Sequence, residues 1–445
     1  MMEQRPVQDL VTPWRPKSPI SNIVFIHANV IDPINGTVLK DVFVHVVGDL
    51  IRSVSETVEI EDKQATTIID LEGKFICPGL IDCHVHITIV PGAPDLHSTL
   101  SMAPAVAAAR VPYVAGQMLD RGFTSIRDCA GAQSALKQAI AENAIRGPRL
   151  FISGHALSQT GGHGDTRSMY DQEPCCGGHL TILGRLCDGV PECMKAAREE
   201  IRRGADFIKI MAGGGVASPS DGIHQLQFSE EEISAIVKVA NNAGTYVTAH
   251  AYTPRAIRQV VALGVRGIEH GNLIDEPTAQ LMAEKGVFLT PTLITYAAME
   301  TPPFADFLPP ASAVKNKEIL EAGLRSLRIA SEAGVTICYG SDLLGPLQYA
   351  QTHEFQLRRQ ALTDLQILQS ATTNAAKMMQ QDNLGNVKPG YLADFLILNK
   401  NPLDDVTILD RPDENLLAVV KDGRVVSSRW SKVPAEATHP LPQIA

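Results

Sequence analysis

An α/β protein, made of a (β/α)8 barrel and a small β-sandwich domain built from both chain ends, is the fold class this 445-residue sequence predicts. Three observations carry the prediction. Eight short apolar runs alternate with helix-patterned stretches through the middle of the chain, the sequence form of a (β/α)8 barrel. β-rich texture appears before and after that middle, in pieces each too small to bury a core alone. Histidine, lysine and aspartate recur at the C-terminal ends of the runs, where barrel chemistry sits.

In chain order, residues 1–20 carry Pro6, Pro13, Pro16 and Pro19 without periodicity and read as an extended arm. Residues 21–77 form the first part of the β domain, with strands predicted over Ile23–Ile26, Val42–Val47 and Thr66–Leu71 and a turn at Asp32-Pro33-Ile34-Asn35-Gly36. The barrel spans 78–384. Its runs are Leu80–His86, Thr124–Asp128, Leu150–Ala156, Phe207–Met211, Tyr246–His250, Gly267–His270, Phe288–Thr292 and Ile337–Asp342. Helical patterns lie between them, among others Pro191–Arg203, Glu230–Asn242 with Ser229 as N-cap, and Thr278–Lys285, and two more follow the eighth run. Residues 385–427, with strands at Ala393–Leu398 and Leu417–Val426, complete the β domain, and 428–445 read as a tail.

Composition narrows the function. At 44% hydrophobic and 20% charged the chain can bury a large core, and a net charge of -10 without a dense Lys/Arg cluster excludes a phosphate-tracking surface, so no nucleic acid partner is expected. No apolar run reaches membrane-spanning length and the N-terminus lacks a basic-then-apolar leader pattern, so no membrane partner and a cytoplasmic location are expected. The 8 cysteines are scattered. Cys175, Cys176, Cys187 and Cys193, with His179 among them, fit no paired C-x-x-C zinc spacing and read as free thiols, with a disulfide in that loop left open. The loop itself, Gly161–Gly189, follows the third run and is long enough to expect a functional role.

The run Pro78-Gly79-Leu80-Ile81-Asp82-Cys83-His84-Val85-His86 ends in two histidines one residue apart. On a strand their side chains share a face and can share an ion. A lone pair of this kind is more often a surface feature. Here, however, His250 and His270 close the fifth and sixth runs and Asp342 closes the eighth, so imidazole and carboxylate ligands converge on one mouth, a set that suits zinc, with manganese, cobalt or iron as other options. Lys209 lies in Phe207-Ile208-Lys209-Ile210-Met211, apolar on both faces. A buried ammonium beside two metal ions is disfavoured, whereas a carbamate formed with CO2 is anionic and can bridge them; the alternative is a lysine that snorkels to the mouth or pairs with Asp342. Asp342 can also accept the proton of an attacking water, its structural alternative being a helix N-cap. H-E-x-x-H and phosphate-loop motifs are absent, since Leu357 follows His353-Glu354 and Gly213-Gly214-Gly215 lacks the lysine.

These motifs, with Ile208-Lys209-Ile210-Met211-Ala212-Gly213-Gly214, Ala249-His250-Ala251-Tyr252, Ile268-Glu269-His270-Gly271 and Gly340-Ser341-Asp342, resemble the binuclear branch of the amidohydrolase superfamily over nearly the whole of 22–426. Ser158-Gln159-Thr160-Gly161-Gly162-His163-Gly164-Asp165 is similar to the subgroup of ochratoxinase and the Xaa-Pro or Xaa-Arg dipeptidase-like carboxypeptidases. The resemblance implies a hydrolase of C–N bonds that releases a C-terminal amino acid from an N-acyl amino acid or dipeptide, ochratoxin A being one option. It implies two divalent ions per subunit, one on His84, His86 and Asp342 and one on His250 and His270, bridged by Lys209 as N6-carboxylysine. Asp342, Lys209 and His270 would be catalytic, while His163 and Tyr252 would meet the substrate carboxylate or carbonyl. Tyr252 stands where ochratoxinase has a histidine, and Ser341 where many relatives have threonine. The expected partner is a small-molecule amide or dipeptide, in a homo-oligomer for which an octamer is one form. His163 has a structural alternative, pairing with Asp165 to hold its loop. A lactonase or phosphotriesterase would use the same centre. A mononuclear deaminase would place Glu where Thr253 stands, and a non-catalytic assembly relative would have lost ligands, of which none is missing.

Overall fold

The computed structural model describes residues 11–15, 21–58, 60, 65–167, 183–218 and 221–436. Cys175, Cys176 and His179 therefore lie outside the described residues, as does most of the arm.

The chain opens with β1 (Asn22–Asp32), β2 (Thr37–Val47), β3 (Leu50–Ser55), β4 (Thr67–Asp70) and β5 (Phe75–Pro78). Gly36 closes the expected turn by donating to Asp32 O at 2.9 Å. The parallel strands follow: β6 (Leu80–Val85), β7 (Phe123–Asp128), β8 (Arg149–Ile152), β9 (Ala156–Ser158), β10 (Gly184–Leu186), β11 (Ile208–Met211), β12 (Val247–Ala251), β13 (Gly267–His270), β14 (Phe288–Thr290) and β15 (Thr336–Ile337). The chain closes with β16 (Phe395–Leu398), β17 (Leu416–Lys421) and β18 (Arg424–Ser428).

Strands from the two ends share one eight-stranded sheet, ordered β18-β17-β16-β5-β1-β2-β3 with β4 against β1. The join is β5, parallel to β1 and antiparallel to β16 through Phe395 opposite Pro78. One apolar cluster unites the ends, Phe25 meeting Phe395 edge to face at 5.4 Å. The expected tail partly belongs to this unit: Val433 is buried in the cluster and Glu436 N donates to Val425 O at 2.8 Å.

The middle strands form two parallel sheets, β6-β7-β8 and β10-β9-β11-β12-β13-β14-β15. At one pair of edges Cys83 N donates to Tyr339 O and Asp342 N to His84 O, both at 2.8 Å; at the other, Asp206 N donates to Ile152 O at 2.7 Å. Strands buried on both faces need apolar residues throughout, and β6, β7, β11, β12 and β13 are buried at every position. Helices pack outside with local signals as expected: Ser229 and Glu232 form a reciprocal capping box on Glu230–Asn242, and Thr253 caps Pro254–Ala262. The third run is divided into β8 and β9 around Gly154, whose φ of 71° breaks the ladder, and the eighth keeps only two ladder residues because Tyr339–Asp342 turns across to β6. No helix among the described residues is long and apolar enough to cross a membrane.

Candidate metal centre

Asp82 aligns the two backbones that carry the first ligand group. Its Oδ1 accepts from His84 N and Ser341 N, both at 3.1 Å, while Oδ2 accepts from Ser341 Oγ at 2.6 Å and Gln351 Nε2 at 2.9 Å. Asp342 follows with a φ of 52°, and His270 and Thr292 also adopt left-handed backbone, at 76° and 48°. Such conformations cost on the order of 1–3 kcal/mol each for non-glycine residues and gather where the surroundings hold a side chain for function.

His84, His86 and Asp342 bring one ligand atom each within 4.8 Å of one another. His84 Nδ1 bonds Glu269 Oε2 at 2.7 Å and His86 Nδ1 bonds Ala130 O at 3.0 Å, so each ring donates outward and leaves a lone pair on Nε2. Those Nε2 atoms lie 3.3 and 3.1 Å from the same Asp342 Oδ1. Lone pair against carboxylate oxygen is repulsive unless a cation joins them, and in a metal-free protein a proton does that duty. Burial works against a charged His86, but Asp342 outweighs it and raises the pKa. His84, more burdened by burial and by Lys209, is pushed down to about 4, and Asp342 is lowered against the effect of burial by His84 and His86.

The second group is backed differently. His250 Nε2 bonds Gly214 O at 3.2 Å, and His270 Nδ1 meets Thr292 Oγ1 at 2.7 Å and Tyr296 Oη at 2.9 Å. Their rings lie 4.7 Å apart, and His270 lies 5.1 Å from His84. Burial first, then neighbouring cationic groups, drives both well below the usual histidine range. Each of the four histidines thus has one nitrogen anchored from outside and the other available, the arrangement that orients metal ligands. The donor set fits divalent metal.

Lys209 is 2% exposed and its charge weighs on His84, His250, His270, Asp342 and Glu269. No described residue gives its ammonium a hydrogen bond or ion pair, so the alternative of pairing with Asp342 does not hold. Glu269 is committed elsewhere. It accepts from Arg127 at 2.5 Å and from Thr248, and despite burial Arg127, Lys209 and His84 hold it well below the carboxylate range. Arg127 and Glu269 were missed as a pair by sequence reading, although charges inside the apolar runs Thr124–Asp128 and Gly267–His270 were the available signal.

His163 and Tyr252 both reach the centre. The His163 ring stacks on His250 at 4.3 Å, and Tyr252 lies 4.9 Å from His250 and 5.2 Å from His270, its phenol 2.9 Å from that of Tyr296. The expected alternative for His163 is corrected: Asp165 pairs with Arg167 at 2.7 Å and accepts from Gly161 N, while His163 Nδ1 bonds Ser218 Oγ at 2.8 Å. Cys187 and Cys193 are buried free thiols. Thr253, the position a deaminase would fill with Glu, is a helix cap.

The sequence profile of the amidohydrolase family matches residues 75–426. Ochratoxinase from Aspergillus niger is 32% identical over 413 residues, 88% of this chain and 84% of that protein. A prolidase complexed with N-methylphosphonate-L-proline superposes with a TM-score of 0.88 at 42% identity, over 92% of this chain and 100% of the other. A Xaa-Pro dipeptidase with bound methionine in its active site gives a TM-score of 0.81 at 27% identity, over 91% and 99%.

Proposed function

We propose, from the premise that the chain belongs to the amidohydrolase family and is a hydrolase acting on amide bonds, that it removes a C-terminal amino acid from an N-acyl amino acid or dipeptide on a binuclear metal centre. The observation that carries the reading is the meeting of two imidazole lone pairs and an Asp342 oxygen beside a buried lysine without a counter-ion. The two parallel sheets are read as one (β/α)8 barrel over 78–384, with 21–77 and 385–427 as its accessory β domain.

His84, His86 and Asp342 would hold one ion, His250 and His270 the other, and Lys209 would bridge them as N6-carboxylysine, which converts the uncompensated cation into a ligand. Zinc suits this donor set. When bound, such ions polarise the scissile carbonyl and acidify water. The protein's own groups do the rest. Asp342 accepts a proton and returns it to the leaving nitrogen, which departs poorly unless protonated.

If Nε2 of His270 held an ion, its Nδ1–H would be shared between Thr292 and Tyr296, and the Tyr296 hydroxyl, having no acceptor there, could donate to Tyr252. Tyr252 then has its own O–H free for the substrate carboxylate or the developing oxyanion. His163, stacked on His250, is the second substrate contact. The similarity to ochratoxinase, to a prolidase and to a Xaa-Pro dipeptidase supports amide substrates of this kind.

The test is a screen of zinc-loaded protein against N-acyl amino acids and dipeptides, each as free acid and as C-terminal amide. Free acids should be preferred at least about tenfold in kcat/KM, with Tyr252→Phe losing most of that preference. Equal turnover of acid and amide would discard C-terminal release and leave a general amidase. Turnover of lactones or phosphotriesters alone would leave the other chemistry of this centre.

A further inference from the structure

Lys315 stands on the helix Pro310–Glu332, remote in sequence from every strand end. Its side chain is four-fifths covered and its ammonium donates to three backbone carbonyls of the segment after β11: Gly215 O and Ser218 O at 3.1 Å and Asp221 O at 2.7 Å. The Asp221 carboxylate, wholly buried, lies 3.9 Å away.

That carboxylate accepts from Gly215 N at 3.0 Å, Gln227 Nε2 at 2.9 Å and the Ser218 hydroxyl. Gln227 turns its other end, Oε1, to His163 N at 2.8 Å. Ser218 has a single proton, and a carboxylate can only accept. The Ser218 proton therefore goes to Asp221, and Ser218 Oγ receives its bond from Nδ1–H of His163. The direction of the whole chain is fixed by its charged end. The ring in turn sits against Gly215, where a Cβ would come within 2.0 Å of Cε1, so only glycine leaves room for it.

We propose that Lys315 is a positioning residue for His163, acting through Asp221 and Ser218 to hold the imidazole over His250 as the Nδ1–H tautomer. Nε2, which no described residue bonds, is then the acceptor that meets the substrate, matched to an N–H of the amide or of an α-ammonium, while the carboxylate falls to Tyr252. This assignment of a substrate group rests on the amidase reading above; the tautomer does not.

The experiment compares metal-loaded wild type with Lys315→Met, Lys315→Arg and Ser218→Ala. Imidazole 15N spectra without substrate should place the His163 proton on Nδ1 in wild type and Lys315→Arg, and show a mixture of tautomers in Lys315→Met and Ser218→Ala. With metal content unchanged, KM of Lys315→Met should rise about tenfold with a smaller change in kcat, and Lys315→Arg should recover most of it. Wild-type spectra together with KM within twofold in Lys315→Met would overturn the proposal. A shifted tautomer in a protein that hydrolyses no amide would sink the amidase reading and leave the positioning role standing.

Discussion

The two halves of the centre are built from the same residue type and differ in what stands behind them. The first has charge at its back, with Glu269 on the His84 ring, Arg127 behind Glu269 and Asp82 joining the two backbones, while His86 leans on the Ala130 carbonyl. His250 and His270 are backed by neutral groups, a carbonyl and two hydroxyls. A carboxylate behind an imidazole raises its basicity and fixes its tautomer more firmly than a hydroxyl does. The first group's donor atoms accordingly converge within 4.8 Å before any ion is considered, while His250 and His270 complete no such cluster among the described residues. On the proposed binuclear reading, the first group would hold its ion more tightly than the second, and Lys209 would join them.

The strongest way to break the first half is Asp342→Asn, which removes the carboxylate facing both Nε2 atoms and the proton acceptor together. The rate should fall by about 10²–10⁴ with the fold retained, as read by turnover number and thermal unfolding. A near-normal turnover number would move the base away from Asp342.

Glu269→Gln makes the first half resemble the second, since a neutral amide then backs His84. Its ion should be held about 10–100-fold more weakly in competition with a chelator of known affinity, without change at the His250/His270 ion. Equal affinity before and after would mean that the charge behind His84 does not distinguish the halves.

A smaller effect comes from pH. Asp342 raises the pKa of His86 even though burial opposes it, whereas burial lowers His250 and His270 far below their usual range. A ligand must shed its proton to bind metal. Uptake by the first half therefore displaces a proton from His86 and weakens as pH falls through its raised pKa. Uptake by the second half, already neutral, stays flat to well below the ordinary histidine value. Binding measured at pH 8 and pH 6 should show the slope in the first half alone, and parallel slopes would contradict the assignment.

Much of this was legible in the sequence because strand-end residues are set by short-range pattern. The apolar runs carry His84, His86, Lys209, His250, His270 and Asp342, of which the structure gathers the four histidines and Asp342, and Ser229 caps its helix where the spacing said it would. What stayed hidden depends on contacts between distant segments. Lys315 lies on an ordinary helical face, and only folding brings it 2.7 Å from Asp221 O. Pairing of His163 with Asp165 was a local inference from two residues' separation, and lost to Ser218 from another strand's loop. The eighth run was read as a full strand because its residues are apolar, but Asp342 at a φ of 52° requires the chain to leave the ladder early.

The central claim is that Lys209 bridges two ions, and metal stoichiometry tests it most directly. Wild-type protein, loaded with zinc and freed of excess, should carry two equivalents per chain by elemental analysis. Lys209→Ala should carry at most one, with a short carboxylic acid restoring part of the second and part of the activity. Two equivalents and an unchanged rate in Lys209→Ala, or full wild-type activity with no bound metal, would contradict the account.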